Sequence, residues 1–438
     1  MFATGRLIAL AAFGALVMLP GAWNGRLLAV GAVYNVALAA AVGIDYALLR
    51  RRGLSPVTVT RECHDVLSLG TGNVVSVSVR NTGSARVRIA VKDLPPPGLP
   101  HDSRPFSVTL EPGRGAVSRY SVIPTGKGDY EFGDIAVRTW SPLGLLMSQH
   151  LAPASRRVRV YPDVKAVSRY DLLARRGRLA EAGIRAARYR GRGTEFESLR
   201  AYMPDDDSRQ IDWKATARRH QLISAQFQAE RSQNVFLVLD AGRMMAGRVG
   251  PMTKLDHAIN AALMCAYVAA EMGDRVGLLA FAARVRAYIP ARRGRRQVFH
   301  LLEDLYRLEP ELVEPDYDAA FHYLALRQRR RSLVIVFTDL VDRDSSATLL
   351  EHIGALHPHH LVLCVTLADA EVLALARAVP NQAEDVYQKA VALQVLADRE
   401  AALTYLRRRG VHVVDAPADG LTAAAINRYL ELKSRSLV

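Results

Sequence analysis

Two aspartates that each follow an apolar run are the residues of this sequence best placed for chemistry. Residues 235–239 run directly into Asp240, and residues 332–338 run directly into Asp339. Such runs are typical of buried parallel strands, and α/β sheets carry their functional groups at the carboxyl ends of these strands. Carboxylate oxygens suit Mg²⁺, so a metal site is one hypothesis. The alternative is that both aspartates cap nearby backbone or pair with Arg243 or another arginine.

A dense polar string precedes the first of these runs. Within residues 191–234, acids, bases and aromatic residues are mixed at a spacing that no amphipathic pattern explains. The members with a candidate role are Glu195, Arg200, Tyr202, Asp206, Asp207, Arg209, Asp212, Trp213 and Arg218. This string is therefore the second place in the chain where a site could lie.

Three interpretations of the polar string stay open. In the first, it is a network of salt bridges and caps, in which Asp206 or Asp207 caps a turn and Trp213 buries its ring. In the second, it is an interface for a protein partner, because Arg, Tyr and Trp dominate binding hot spots. In the third, Asp206 and Asp207 are the paired carboxylates of a hydrolase, although no nucleophile–His–acid order accompanies them.

The elements that must position the two aspartates alternate between strand and helix. Strand-like apolar runs occur at residues 235–239, 275–281, 332–338, 360–367 and 411–414. Helical periodicity fills the segments between most of these runs. This alternation predicts a doubly wound α/β domain over residues 235–438 with a mostly parallel sheet.

The preceding part of the chain has a different pattern. Residues 55–163 contain short alternating runs separated by Gly, Pro, Asn and Asp, which predicts a β-sandwich. Residues 164–234 hold the polar string and a basic connector with helical periodicity between Val167 and Arg190. This connector could bind a polyanion or lie close to an anionic membrane surface, and the sequence favours neither.

Two uncharged apolar runs open the chain, from Leu7 to Pro20 and from Leu27 to Ile44. The second run is close to the roughly 20 residues that a spanning helix needs, and the first becomes long enough if Phe2 to Arg6 is included, so residues 1–52 are predicted to form a two-span transmembrane hairpin. Three arginines follow at residues 50–52, and the positive-inside rule then places the rest of the chain in the cytoplasm. A cleaved signal peptide is the less favoured alternative, because the second run is also uncharged.

The composition adds a strong positive charge. The chain has 58 Lys and Arg against 43 Asp and Glu, which gives a formal net charge of +15. A charge of this size is compatible with nucleic acid or with an anionic lipid surface. Because no nucleic-acid-binding motif appears, we expect the lipid bilayer as a partner and no specific nucleic acid.

Asp240, Gly242 and Met244, together with the later pair Thr338-Asp339, resemble the metal turn of von Willebrand factor A domains. The resemblance implies a divalent cation held by an Asp-x-Ser-x-Ser turn, a threonine and a later aspartate. Gly242 and Met244 replace the two serines and offer no side-chain oxygen. Asp240 and Asp339 are thus expected to form at most a degenerate metal site, with Mg²⁺ as its candidate ion and no other cofactor.

Two longer stretches resemble the domain-of-unknown-function family numbered 58. They are residues 191–218, followed by a strand and the degenerate turn, and residues 383–433. The resemblance is expected to extend over essentially the whole chain. It implies a bacterial, membrane-anchored protein with a von Willebrand factor A-like domain, associated with MoxR-type AAA+ ATPases and without an established enzymatic activity.

The function expected from this resemblance is that of a non-enzymatic adaptor or scaffold. It would be held in the bacterial inner membrane by its two spans and would bind a MoxR-type AAA+ ATPase at the carboxyl end of the α/β sheet. A membrane-associated hydrolase that uses the acids of the polar string is one alternative. A polyanion-binding protein is another.

Overall fold

The computed structural model describes residues 1–19, 25–51, 57–163, 195–203, 211–219, 221–228, 232–340, 347–356 and 359–435. The basic connector lies outside these residues, as do Asp206, Asp207 and Arg209. Internal packing divides the chain into two compact units, Met1–Tyr161 and Pro162–Val438. The candidate aspartates and the polar string both belong to the second unit.

Apolar helices open the first unit. A short strand, β1 (Phe2–Ala3), leads into α1 (Gly5–Met18), and α2 follows over Gly25–Arg51. Among the described residues, α2 is the one helix long and apolar enough to cross a membrane. The 14 residues of α1 reach about 21 Å, which is less than the hydrocarbon core of about 30 Å. One helix of spanning length is therefore found where two spans were predicted.

The rest of the first unit is β-rich, as the sequence predicted. Its strands are β2 (Val57–Glu62), β3 (Val66–Ser68), β4 (Asn73–Asn81), β5 (Val87–Lys92), β6 (Phe106–Leu110), β7 (Gly115–Val122), β8 (Gly128–Phe132), β9 (Ile135–Trp140), β10 (Leu146–Ala152) and β11 (Arg156–Tyr161). They form three sheets, with the orders β1-β10-β9-β5-β6, β2-β4-β7 and β3-β11-β8. Alternate residues of β4 and β5 are buried, so each strand has one buried face.

A single turn of this unit holds both apolar helices. The Thr4 hydroxyl, just before α1, donates to the carbonyl oxygen of Gly144 at 2.7 Å. Asp45, near the end of α2, is fully buried and accepts hydrogen bonds from the Ser141 hydroxyl at 2.5 Å and the Leu143 backbone N–H at 2.9 Å. The beginning of α1 and the end of α2 are thus fixed to residues 141–145.

The second unit begins with a two-stranded antiparallel ladder. It joins β12 (Glu195–Ala201) to β13 (Ile223–Gln228), and a short helix, α3 (Trp213–Arg219), lies between them in the chain. The polar string therefore includes a regular β element, which its sequence pattern did not reveal. The reason is that its apolar residues do not alternate consistently with its polar ones.

A six-stranded sheet forms the centre of the second unit. The strands that follow β13 are β14 (Asn234–Asp240), β15 (Arg248–Val249), β16 (Met252–Thr253), β17 (Arg275–Phe281), β18 (Val285–Arg293), β19 (Leu333–Thr338), β20 (Leu361–Ala368) and β21 (His412–Pro417). The sheet order is β18-β17-β14-β19-β20-β21, and all pairs are parallel except β17 with β18. The central strands are buried throughout, as expected for a sheet that is covered on both faces.

Helices cover the two faces of this sheet. The helices after α3 are α4 (Lys254–Glu271), α5 (Arg295–Arg307), α6 (Tyr317–Arg327), α7 (Ala347–Leu356), α8 (Ala370–Arg377), α9 (Ala383–Arg408) and α10 (Ala418–Ser434). All except α8, which packs against α9 and buries none of its residues, contribute to the two faces. One buried cluster joins the sheet to α4, α5 and α10, and the other joins it to α6, α7 and α9. The predicted alternation of strand and helix is therefore found, and β14 and β19 are neighbours whose carboxyl ends share one edge.

Candidate functional site

Asp240 is fully buried at the end of β14 and receives three neutral hydrogen-bond donors. One carboxylate oxygen accepts from the backbone N–H of Gly242 at 2.7 Å. The other accepts from the Tyr317 hydroxyl at 2.6 Å and from the Thr338 hydroxyl at 2.8 Å. Burial raises the pKa of the Asp240 carboxyl, because desolvation opposes the charged form more than these hydrogen bonds favour it.

Tyr317 occupies the region where the metal-binding pattern would place a threonine. It is the first residue of α6, whose N-cap Asp316 accepts from the Ala319 backbone N–H at 2.9 Å. Burial and the neighbouring charge of Asp240 raise the pKa of Tyr317, so its hydroxyl keeps its proton and remains a donor. The start of α6 therefore supplies a fixed donor to the Asp240 carboxylate.

Gly242 is packed too tightly for the serine of the metal turn. A Cβ atom at this position would lie 2.8 Å from Cδ of Pro315 and 3.1 Å from a carboxylate oxygen of Asp240. A serine could therefore be accommodated only if Pro315 moved. Position 242 thus lacks a side-chain oxygen because its residue is glycine, and the packing of Pro315 leaves little space for a serine there.

Asp339, at the end of β19, is satisfied by cations. Lys254 Nζ lies 2.6 Å from one carboxylate oxygen, and a guanidinium nitrogen of Arg399 lies 2.8 Å from the other. These side chains are 13% and 10% exposed, respectively, whereas that of Asp339 is 1% exposed. Lys254 is fixed by the start of α4, where Thr253 and Asp256 form a reciprocal capping box.

Arg399 connects the carboxyl ends of three neighbouring strands. Besides Asp339 after β19, it donates to the carbonyl oxygen of Leu367 in β20 and to the carboxylate of Asp415 in β21, both at 2.9 Å. It also donates to the carbonyl oxygen of Leu340. Burial alone would lower the pKa of Arg399, but the hydrogen bond from Arg399 to Asp415 and the two carboxylate charges raise it above its usual value. The guanidinium is therefore a permanent cation.

The residues at this edge do not fit a magnesium ion. Mg²⁺ requires about six oxygen ligands in an octahedral arrangement. Both oxygens of Asp339 already contact side-chain cations, and those of Asp240 accept hydrogen bonds from three donors. Across the described segments, no group of three or more His, Cys, Asp or Glu side chains converges as ligands would.

The geometry instead matches the alternative interpretation of the two aspartates, in which they cap backbone and pair with an arginine. Asp240 accepts from the backbone of Gly242, and Asp339 accepts from the Leu340 backbone N–H at 2.9 Å while it pairs with Arg399. The arginine in the turn itself, Arg243, pairs with Glu314 at 2.8 Å. The edge can therefore balance its charges with residues of the chain alone.

The residues of the polar string are distributed over several elements. Glu195 and Arg200 lie in β12, where their Cα partners in β13 are Gln228 and Ser224. Tyr202 is half-buried, and its backbone N–H donates to the carbonyl oxygen of Leu222 at 2.9 Å. The ladder from β12 to β13 thus continues one residue beyond its last strand pair.

Asp212 has the capping role that the first interpretation of the string assigned to acids. One of its carboxylate oxygens accepts from the backbone N–H groups of Lys214 and Ala215, each at 3.0 Å, at the start of α3. Trp213 is 68% exposed, so the prediction that its ring is buried is wrong. Arg218 is also exposed. The exposed tryptophan agrees better with the interface interpretation, because apolar surface of this size is normally covered.

Sequence reasoning did not identify Tyr317, Lys254 and Arg399 as the partners of Asp240 and Asp339. Tyr317 lies 77 residues from Asp240, and Lys254 and Arg399 lie 85 and 60 residues from Asp339. Arg399 did leave a local signal. It shares the buried face of α9 with Ala392, Leu403 and Leu406, and a basic residue on an apolar helical stripe indicates a buried partner.

The family comparison concerns the second unit. Residues 198–408 match the family described as "Protein of unknown function DUF58". The uncharacterized protein Rv1480 of Mycobacterium tuberculosis is 27% identical over 181 residues, which are 41% of this chain and 56% of that protein. The uncharacterized protein YeaD of Bacillus subtilis is 30% identical over 129 residues, 29% of this chain and 31% of YeaD. The chain therefore spans only part of each of these relatives.

Among solved structures, the conserved hypothetical protein BatB from Bacteroides thetaiotaomicron aligns with 47% of this chain and with 99% of its own. Its sequence identity is 15% and its TM-score is 0.32. The family match itself is narrower than the expected whole-chain resemblance, since it leaves out the apolar helices and the β-rich unit. Within these bounds the resemblance is confirmed, since residues 198–408 of this chain match the DUF58 family.

Proposed function

We propose that this chain is a non-enzymatic, membrane-anchored adaptor that binds a MoxR-type AAA+ ATPase at the carboxyl edge of its α/β sheet. The observation that carries the proposal is an apolar arm beside that edge. It consists of residues 370–398, that is, α8 and the first part of α9, and is called the projecting arm below. The arm is a surface that a partner could cover.

The length of α9 determines how far the arm extends. Arg399 contacts the carboxyl ends of β19 and β20, so it marks the level of the sheet edge within α9. The 16 helical residues before it, Ala383–Asp398, therefore extend about 24 Å from that level at 1.5 Å per residue. α8 follows the carboxyl end of β20 and packs against α9, so the arm contains two helices.

The projecting arm exposes large apolar side chains. Tyr387 is 72% exposed and Val379 is 80% exposed. The other exposed members are Leu375, Val386, Val391 and Leu393. Apolar side chains that cluster on one exposed element mark protein interaction sites more often than the same residues scattered singly. A partner bound here would also lie next to the residues that surround Asp339.

The state of the buried acids supports a non-enzymatic role. Asp240 and Asp339 are each fixed by at least three contacts, which leaves neither carboxylate free to act as a general base. The hydrolase alternative depends on Asp206 and Asp207, which lie outside the described residues. Two observations therefore support the adaptor role. The projecting arm exposes apolar side chains, and the carboxylates of Asp240 and Asp339 are held in structural contacts.

We also infer the membrane topology of the anchor and the fold type of the α/β domain. In this proposal, α1 and α2 both enter the bilayer and Arg50 and Arg51 mark the cytoplasmic end of α2, while the β-rich part of the first unit and the whole second unit lie in the cytoplasm. The α/β sheet is of the von Willebrand factor A type, with side-chain cations in place of a divalent metal. This arrangement presents the projecting arm to a soluble ATPase.

The test measures binding of a purified MoxR-type ATPase, encoded in the same genome, to the full chain in detergent. Replacing Val386 and Tyr387 together by Ser should weaken binding about 30-fold or more, as expected for the loss of a hot spot of about 2 kcal/mol. The matched control is Phe299→Ser, because Phe299 is 65% exposed on α5, outside the arm. Unchanged affinity in the arm variant, or an equal loss in the control, would contradict the proposal.

A further inference from the structure

We propose that the β-rich unit binds the phosphate head group of an anionic phospholipid in a basic cavity beside the start of α1. The cavity has a volume of about 920 Å³. Its walls come from the beginning of α1, from β5 and β6, and from the turn after β9. All of these elements belong to the first unit.

The lining of the cavity is strongly basic. It includes Arg6, Arg86 and Arg88, together with the hydroxyl groups of Ser107 and Thr109, and none of the described residues that line it is acidic. A guanidinium group presents two parallel N–H donors that match the oxygens of a phosphate, and hydroxyl groups can donate to the remaining oxygens. The donor set is therefore suited to a phosphate anion.

The positive charge of the cavity is largely uncompensated. Within the described part of the chain, no carboxylate lies within ion-pair distance of Arg6 or Arg88. Arg86 lies 3.5 Å from Glu111, but these side chains are 70% and 61% exposed, and such surface pairs contribute little. At least two guanidinium groups are thus available to an external anion.

One row of residues across the outer face of the sheet combines charge with apolar surface. Arg88 lies opposite Thr109 in the register of β5 and β6, and its guanidinium stacks on the Trp140 ring at 5.0 Å. Trp140 in turn lies opposite Met147 of β10, and Met147 lies opposite Phe2 of β1. A row that runs from a hydroxyl and a cation to aromatic and aliphatic side chains matches the gradient at a membrane interface.

The attachment of the apolar helices indicates a lipid as the source of the phosphate. The turn at residues 141–145, which lines the cavity, also binds Thr4 at the start of α1 and Asp45 near the end of α2. If these helices form the anchor, as in the proposed function, the cavity lies where they leave the bilayer. That level contains the lipid phosphates, and Arg50 and Arg51 lie at the same end of α2.

The experiment uses Trp140 as a reporter in the full chain. A variant with Trp23→Phe and Trp213→Phe keeps Trp140 as its single tryptophan. In detergent micelles, it is titrated with phosphatidylglycerol or phosphatidylcholine brominated close to the head group, and quenching of its fluorescence is recorded. We expect saturable quenching by phosphatidylglycerol at concentrations at which phosphatidylcholine has a much smaller effect.

Substitutions in the cavity should remove this preference. Arg6→Gln and Arg88→Gln should each raise the apparent Kd for phosphatidylglycerol about fivefold, which corresponds to about 1 kcal/mol for a basic residue at an anionic surface. Arg138→Gln is the matched control, because Arg138 lies on the same face of β9, bonds to Gln149 and does not line the cavity. All three side chains are exposed, so the variants should fold as the parent does.

Three results would overturn the assignment. They are equal quenching by the two lipids, unchanged affinity in both cavity variants, and an equal loss of affinity in the Arg138 control. A further titration adds sodium phosphate to the protein with phosphatidylglycerol bound, and displacement of the lipid at low millimolar phosphate would assign the cavity to a soluble anion instead. None of these measurements uses the ATPase, so failure here is distinguishable from failure of the proposed function.

Discussion

The carboxyl ends of β14 and β19 each carry a buried aspartate, yet the chain satisfies the two in opposite ways. Within the described segments, Asp240 receives neutral donors only, from two hydroxyl groups and one backbone amide. Asp339 receives two side-chain cations in addition to a backbone amide. The two strands are neighbours in the sheet and similar in their local sequence, so neither position nor pattern accounts for the difference.

The difference shows that residues distant in sequence determine what a strand-end aspartate does. The start of α6 gives Asp240 a hydroxyl group, whereas α4 and α9 give Asp339 an ammonium and a guanidinium group. A divalent cation between two such carboxylates would supply positive charge to both. Here two side chains of the protein, Lys254 and Arg399, supply positive charge to Asp339, whereas Asp240 is stabilised by neutral donors.

The largest expected effect comes from the removal of Asp339. Asp339→Ala would leave Lys254 and Arg399 with one less carboxylate in a poorly exposed site, and we expect a loss of about 3–5 kcal/mol in the free energy of unfolding. Urea denaturation of the full chain in detergent measures it. The control is Glu400→Gln, which disrupts an exposed pair with Arg407 on the same helix and should cost less than about 1 kcal/mol. Similar losses of unfolding free energy in the two variants would show that the buried Asp339 contributes no more to stability than the exposed Glu400.

A smaller effect is expected from Tyr317→Phe. This change deletes the 2.6 Å hydrogen bond to Asp240 and keeps the ring, so the expected loss is about 1–3 kcal/mol. Tyr323→Phe in the same helix is the matched control, because the Tyr323 ring packs edge-on against Tyr288, and no hydrogen bond of its hydroxyl occurs within the described residues. A loss as large as that of Asp339→Ala would indicate that neutral and cationic partners are equally important.

A third prediction concerns how the free energy of unfolding of the wild type and of Asp240→Asn depends on pH. Because burial raises the pKa of Asp240, the folded wild type binds more protons than the unfolded chain above about pH 4. Its stability should therefore fall as pH rises from about 4 towards the folded pKa, whereas Asp240→Asn lacks this contribution. The stability advantage of the wild type over the variant should shrink over this interval, by about 1.4 kcal/mol for each unit of pKa shift.

Urea unfolding of both proteins at several pH values between about 4 and 7 measures this advantage. Asp316→Asn serves as the control, since Asp316 is an exposed N-cap whose loss should not follow the same trend. An advantage that grows with pH would mean that the hydrogen bonds to Asp240 stabilise its anion by more than burial destabilises it.

The smallest expected effect is that of a divalent metal. The Tm of the wild type should be the same in millimolar Mg²⁺ and in EDTA, because Lys254 and Arg399 already contact both oxygens of Asp339. Differential scanning calorimetry measures the shift. A clear rise of the Tm with Mg²⁺ would contradict the conclusion that side-chain cations neutralise Asp339, since a bound ion would then have to replace at least one of these contacts.

The elements at this edge could be predicted from the sequence because their signals are local. Each apolar strand ends at its aspartate within one short segment, and the alternation of strand and helix follows from periodicity. The partners of the aspartates could not be predicted in the same way, since Tyr317, Lys254 and Arg399 approach them only through the tertiary fold. The same holds for Asp45, whose partners lie about 100 residues away.

Other differences have equally specific causes. The first interpretation of the polar string buried the Trp213 ring, but this residue opens a helix of only seven residues and is 68% exposed. The first apolar run was expected to span the bilayer, but its helix ends at Met18, whereas α2 continues for 27 residues. Length and composition therefore predicted the existence of these elements better than their ends or their exposure.

The contacts of Arg399 have a mechanical consequence for the projecting arm. This side chain lies where the extended part of α9 meets the sheet, and it is bonded to the ends of three strands. A pulling force applied near Tyr387 would act about 18 Å along the helix axis from Arg399, the residue that attaches the arm to the sheet. Such a force would therefore be transmitted through Arg399 to the carboxyl ends of all three strands.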